Sequence, residues 1–160
     1  MARLTIQGLK DFSMQLQALE EKGMAVAHVA LFAGADALIY AVKEAVLELP
    51  RDEGYMRGNE KRNAVKRWEM DALIKHAGIS HADDRNGVAS IAVGFDGYAD
   101  ITTEKYPSGV PVPLIARSIE SGSSVRVKHP FLRRAANEAK PEVQRAMVEA
   151  AEKMIAKLQK

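Results

Sequence analysis

The chain opens on an alternation of apolar and polar positions. Ala2, Leu4 and Ile6 alternate with Arg3, Thr5 and Gln7, the period-2 signature of a half-buried strand, and Gly8 breaks it. From Leu9 to Leu49 the period becomes helical. Leu9, Phe12, Leu16, Leu19, Gly23, Val26, Ala30, Ala33, Ala37 and Tyr40 recur at spacings of three and four and share one stripe. The stripe is aliphatic at first and rich in small residues later, so a partner backbone can come close. Pro50 stops the run. At ~1.5 Å per residue, forty residues would extend ~60 Å, whereas a compact domain of this size has a radius of gyration of ~15 Å. Either the helix breaks near Gly23 or Gly34 and packs as two helices, or it protrudes and finds a partner.

Arg51 to Glu60 is charged, contains Gly54 and Gly58, and reads as an exposed loop. A helix is predicted from about Lys61 to Ala77, with Val65, Trp68, Ala72 and Leu73 on one face and Gly78 as its stop. His81 to Gly87 is turn-rich and ends in Asn86-Gly87, a tight-turn pair. Val88 to Phe95 reads as one strand, with Ile91, Val93 and Phe95 on one face, and Asp96-Gly97 turns it. A short helix is predicted over Val112–Ser121, with Pro113 in its first turn, Gly122 after its end, and Leu114, Ile115 and Ile119 as its apolar face. The last helix starts near Pro130, with a kink or restart at Pro141. Val143, Met147, Ala150, Met154 and Leu158 form its stripe. This order predicts a single α+β domain over residues 1–160. A small antiparallel sheet is packed by a long N-terminal helix, a middle helix, a short helix and a C-terminal helix.

Composition changes this picture little. The 160 residues are 47% hydrophobic and 28% charged, ordinary values for one globular domain. The chain has no cysteine, which excludes disulfides and cysteine-ligated zinc. Its start lacks a signal-peptide pattern. His28, Asp36, Lys43, Glu44 and Glu48 interrupt its longest apolar segment, so no membrane span is expected.

Candidate chemistry is thin. No phosphate-loop, dinucleotide-binding, serine-elbow or zinc-helix pattern is present. His76, His81, Asp83 and Asp84 are the nearest approach to a metal cluster, and they read as a helix end and a solvated turn. His28, among small apolar residues, reads as packed or interfacial. Glu104 and Glu120 lack the frame a catalytic carboxylate pair needs. Ser118, Ser121, Ser123 and Ser124 fit caps and turns. No enzymatic activity and no cofactor is expected.

The basic residues carry more information. Net charge is only +2, yet Lys105, Arg117, Arg126, Lys128, Arg133 and Arg134 are opposed between Lys105 and Arg134 by Glu120 alone. A second cluster is Arg57, Lys61, Arg62, Lys66 and Arg67, beside Trp68. These are candidates for a basic face that contacts phosphates, as in a DNA-binding accessory protein. The near-balanced total favours solvated faces or cross-subunit pairs.

Three short pieces, in this order and spacing, resemble the tail-component family of long-tailed phages and prophages. They are Val93-Gly94-Phe95-Asp96-Gly97-Tyr98-Ala99, Ile119-Glu120-Ser121-Gly122-Ser123 and His129-Pro130-Phe131-Leu132-Arg133. The likeness covers about Ile79 to Ala136. The chain departs from the family's Thr-Gly-x-Leu-Arg-x-Ser step, carrying Leu73 to Ser80 there instead. The resemblance implies a non-enzymatic virion protein of the head–tail neck, acting in tail completion or head–tail joining. It implies a homo-oligomeric ring, often of six subunits, docked to neighbouring neck and tail proteins, with DNA passing through its channel. It places the protein in the virion, and in the host bacterial cytoplasm during assembly. Candidate subunit-interface residues are Tyr106, Pro107, Gly109, Pro111, Pro113, Glu120, Gly122 and Phe131. The prolines pre-set their backbone angles and lower the ordering cost of an interface loop. For Phe131, core packing is the competing role.

Overall fold

The computed structural model describes residues 9–51, 62–85 and 88–158, with side chains of the first helix from residue 22 onward. The strand expected at Ala2–Gln7, nearly all of the loop expected at Arg51–Glu60, and Arg57, Lys61, Asn86 and Gly87 lie outside the described residues. The architecture is α+β, with four helices and two small antiparallel sheets among the described residues.

Helix α1 (Leu9–Leu47) runs unbroken for 39 residues. Neither Gly23 nor Gly34 breaks it. A Cβ added to Gly34 would lie 2.6 Å from Met147 Cγ and 3.3 Å from Val143 Cγ1, so this glycine is where the C-terminal helix α4 (Phe131–Leu158) comes closest. Tight helix packing there offsets the ~1 kcal/mol that a mid-helix glycine costs. The two helices are antiparallel, because Arg134, thirteen residues before Met147, bonds Glu48, fourteen residues after Gly34. In that register Leu158 falls opposite about residue 23. By the ~1.5 Å rise per residue, α1 continues ~20 Å past the end of α4.

The buried face of α1 carries Ala30, Gly34, Val42, Ala45 and Val46, with Leu38 packed against the core and Leu49 buried just past the helix end. Gly23 and Tyr40, expected on the buried stripe, are exposed, Tyr40 at 68%. A repeat of alternating threes and fours averages 3.5 residues and drifts ~20° per heptad around an ideal helix. The stripe read from Leu9 has therefore rotated off the buried face by Tyr40. Between Lys22 and Lys43 the only carboxylate or ammonium is Asp36. By length and composition, Lys22–Leu47 is apolar enough to cross a membrane, an 18-residue stretch of it having mean hydropathy 1.8 and 22% of its residues buried. This corrects the expectation that no segment reaches that level.

Helix α2 (Arg67–His76) begins six residues later than expected. Residues 62–65 spend their backbone groups on distant segments instead. Val65 N–H donates to Pro50 O at 2.7 Å, and Arg62 N–H donates to Val125 O at 2.8 Å. Gly78 does not stop α2. Ala77 (φ −72°, ψ 126°) leads straight into strand β1 (Ala77–Ile79). The strand expected over Val88–Phe95 is divided. Strand β2 (Asp83–Arg85) pairs with β3 (Val88–Ser90), and β1 pairs with β4 (Val93–Phe95), Gly78 opposite Gly94. Between the two sheets Ser80 and Ala92 exchange bonds. Ser80 N–H donates to Ala92 O, and Ala92 N–H donates to Ser80 Oγ.

Helix α3 (Val112–Ser121) keeps its expected bounds, with Pro113 in the first turn and Gly122 at φ 72°. Its buried face is Val112, Ile115, Ala116 and Ile119, an i, i+3, i+4, i+7 set. Leu114, expected there, is 41% exposed. Helix α4 passes through Pro141 as one helix. Asn137, whose carbonyl loses a helix bond there, is exposed, so water can satisfy it. The buried residues of α4 are Phe131, Ala135 and Ala139. Val143, Met147, Ala150 and Met154 are half-buried and Leu158 is exposed, because the last turns of α4 have only α1 on one side. One core joins Val46, Leu73, Val112, Ile119 and Phe131.

Candidate functional site

The three pieces that carry the family likeness meet in space. Phe95 and Phe131 lie with ring centroids 6.1 Å apart. Glu120, at the end of α3, turns its carboxylate to the start of α4 and accepts Leu132 N–H at 2.8 Å and Arg133 N–H at 3.3 Å. A carboxylate there satisfies two amides that have no partner within the helix and sits at the positive end of its dipole. Between them, His129 N–H donates to Ile119 O at 2.8 Å, and its ring Nε2–H donates to Asn63 O at 2.6 Å. Gly122 allows the reversal, since a Cβ there would lie 3.1 Å from Lys128 N with φ in the left-handed region.

The proline loop closes against the same block. Ala99 N–H donates to Val110 O at 2.8 Å, Val110 N–H to Ile101 O at 3.0 Å, and Val112 N–H to Gly97 O at 3.0 Å. Gly109 sits at φ 107°, and a Cβ there would fall 2.5 Å from Ala99 O. Of the expected interface residues, Pro107 and Pro113 are exposed, and Tyr106, Pro111, Glu120 and Gly122 are half-buried. Gly109 is buried and Phe131 is only 2% exposed. Phe131 is thus a core residue, and its aromatic surface is spent on Phe95 and the core cluster. Sequence reasoning passed over Tyr98 (58% exposed) and Ile101 (41%), large apolar side chains on this same loop. Tyr98 stood inside a quoted motif, and its exposure follows from alternation, since its neighbour Ala99 is the buried one.

The expected basic face is not one surface. Arg126 is buried, and its guanidinium bonds Glu69 of α2. Arg62 donates to both oxygens of the same carboxylate, at 2.8 and 3.1 Å, and Lys66 N–H donates to it at 3.0 Å. Burial removes Arg126 from any phosphate-facing role. The backbones of Arg62 and Arg126 also pair as a parallel bridge, so side chains and main chain close one clip. Burial pushes the Glu69 carboxyl above its ordinary value of 4.5, against the pull of the Lys66 amide and of Arg62. Arg134 pairs with Glu48 at 2.9 Å, and Lys105 lies over the Tyr106 ring at 5.6 Å. Arg117, Lys128 and Arg133 are exposed.

Groups with reactive potential are dispersed. His28 Nε2 lies 2.7 Å from Asp84 Oδ1, tying β2 to α1, and Asp83 pairs with Arg85. His76 packs its ring under Gly97, with Nε2 buried and unbonded. Among the described residues, no three histidine or carboxylate side chains converge as a metal site. Ser123 Oγ accepts Val125 N–H at 3.3 Å within a turn. A cavity of about 170 Å³ opens between Trp68, His76 and the Lys75–Asp100 ion pair. That is below the ~300–1,000 Å³ usual for ligand pockets.

Comparison with protein-family models, with curated proteins and with solved structures finds no match to this chain.

Proposed function

We propose that this chain is a structural, non-enzymatic virion protein of the head–tail neck of a long-tailed phage or prophage, acting in tail completion or head–tail joining. It works by forming a ring, in the manner of six-subunit neck rings, and by docking to the neck and tail proteins on either side. Its place is the virion, with assembly in the host bacterial cytoplasm. The observation that carries this reading is the convergence of the three family-like pieces. Phe95 meets Phe131, Glu120 caps the helix opened by Pro130-Phe131-Leu132, and Gly122 makes the reversal between them. Four of the motif positions thus have a defined role in one packed block. That block presents Tyr98, Ile101, Pro107 and Pro113 to solvent.

The DNA-binding alternative draws less support, since Arg126 and Arg134 are already paired with Glu69 and Glu48. Light scattering and negative-stain imaging of the purified chain test the proposal, followed by binding to tailless heads and headless tails. Rings, or a monomer that joins such an intermediate, uphold it. A chain that binds neither intermediate overturns it. DNA affinity from a monomer, falling steeply with salt, favours the alternative.

A further inference from the structure

Helix α1 is apolar on two opposite faces. One packs on α4 and the core. The other exposes Val29 (41%), Phe32 (42%), Tyr40 (68%) and Leu47 (45%). Val29 and Leu47 are eighteen residues apart, five full turns at ~3.6 residues per turn, so they lie in line along the helix. Tyr40 falls within about 20° of the same line, and Phe32 flanks it at about 60°. Asp36 and Lys43 lie within the stripe, Asp36 exposed and Lys43 half-buried. Neither has an ion-pair partner among the described residues.

We infer that this face pairs with the same face of a second copy of the chain, antiparallel, about a two-fold axis passing between positions 39 and 40. In that register Asp36 of each copy meets Lys43 of the other, and Phe32 meets Leu47. The two Tyr40 rings lie side by side at the axis. Charge selects this arrangement. A parallel pairing sets Asp36 against Asp36 and Lys43 against Lys43, which repel. The same two charges disfavour a lipid surface as the occupant. Both stand in the middle of the stripe, where an acyl environment would strip their water and supply no counter-ion. The contact is isologous and joins two chains. A ring closes through a different, heterologous contact, so this inference stands apart from the neck reading.

The chain has no cysteine, which makes the test direct. Tyr40→Cys in the full chain is expected to form a disulfide-linked dimer under mild oxidation. Leu114→Cys, a control on α3 that is also exposed (41% against 68% for Tyr40), is expected not to. Sedimentation velocity supplies the second arm. Asp36→Lys is expected to weaken self-association at least tenfold, and adding Lys43→Asp restores it. Circular dichroism shows whether each variant keeps its helices, and Tyr40→Gln replaces any that does not. If the wild type is a ring, the pairing joins two rings, and Asp36→Lys halves the mass. A monomeric wild type, a mass unchanged by Asp36→Lys, or no rescue by the double swap overturns the inference. So does a monomer that floats with anionic phospholipid vesicles. Loss of binding to heads and tails with the dimer intact overturns the neck reading alone.

Discussion

Arg126 directs its guanidinium onto the carboxylate of Glu69, a residue 57 positions earlier in the chain. Arg62 donates to the same Oε1 and also to Oε2, so one buried anion serves two cations. The three residues come from α2, from the extended segment before it and from the loop before α4. Removing the anion leaves two guanidinium groups facing each other with little water. Glu69→Gln is therefore expected to cost about 3–5 kcal/mol, the range for breaking a buried pair. Urea unfolding followed by circular dichroism measures it. A loss under about 1 kcal/mol, as for an exposed pair, would mean that the clip opens to solvent.

Glu120 does for α4 what a residue at the helix start normally does for itself. Its two oxygens accept the amides of Leu132 and Arg133 from twelve and thirteen residues away. Glu120→Ala leaves both amides unpaired and removes a negative charge from the positive end of a long helix. The expected loss is about 1–2 kcal/mol. Glu120→Gln keeps one acceptor and is expected to lose about half as much. Equal losses in the two variants would show that the charge, and not the hydrogen bond, carries the effect.

Local signals made α3 legible. Pro113 and Gly122 mark its ends, and both act within a few residues of where they stand. The same logic failed at Gly78, because α2 ends by passing directly into β1 and needs no left-handed residue. The start of α2 was hidden for a different reason. Residues 62–65 are drawn into extended structure by Pro50 and Val125, contacts that no local window contains. Long range also explains the candidate site. The sequence showed Arg126 as one of six cations, but not that Glu69 would bury it. Tyr40 was misplaced by period, not by distance, since a 3.5-residue repeat slides around a helix that turns every ~3.6.

The proline loop owes its shape to one close approach. Gly109 has φ 107°, and a side chain there would run into the carbonyl of Ala99. Gly109→Ala is expected to cost about 1–3 kcal/mol in backbone strain alone, with the steric contact adding to it. Differential scanning calorimetry would register this as a fall in Tm of at least ~3 °C. Gly78→Ala is the control. It has open space around it and no left-handed φ, so its effect should stay within about 0.5 kcal/mol.

Lys75 donates to Asp100 at 2.8 Å across the mouth of the small cavity. That bond, followed by the charge of Lys75, holds the Asp100 carboxyl below its ordinary value of 3.8. A carboxyl whose folded value is lowered adds stability above its unfolded value and loses it as pH falls through the folded one. Its contribution therefore disappears below pH 3.8. Both side chains are exposed, so salt screens the pair. Carbon-detected NMR titration should show the Asp100 midpoint rising toward 3.8 in Lys75→Gln. High salt should move the wild type part of the way. A midpoint unmoved by the substitution would assign the shift to something other than Lys75.

Gly34 separates two explanations of the long helix. If it were a hinge, filling it would stiffen α1 and stabilise the chain by up to ~1 kcal/mol. Its place against Met147 and Val143 makes it a contact instead. Gly34→Ala sets that propensity gain against displacement of a flexible methionine, so a change within about 1 kcal/mol is expected. Gly34→Leu overfills the seam and should cost about 1–3 kcal/mol. Met147→Ala in the same chain opens room for the new side chain. The double variant is then expected to recover at least ~0.5 kcal/mol relative to the sum of the singles, as residues in contact do. Strict additivity would mean that α1 and α4 do not meet at this pair.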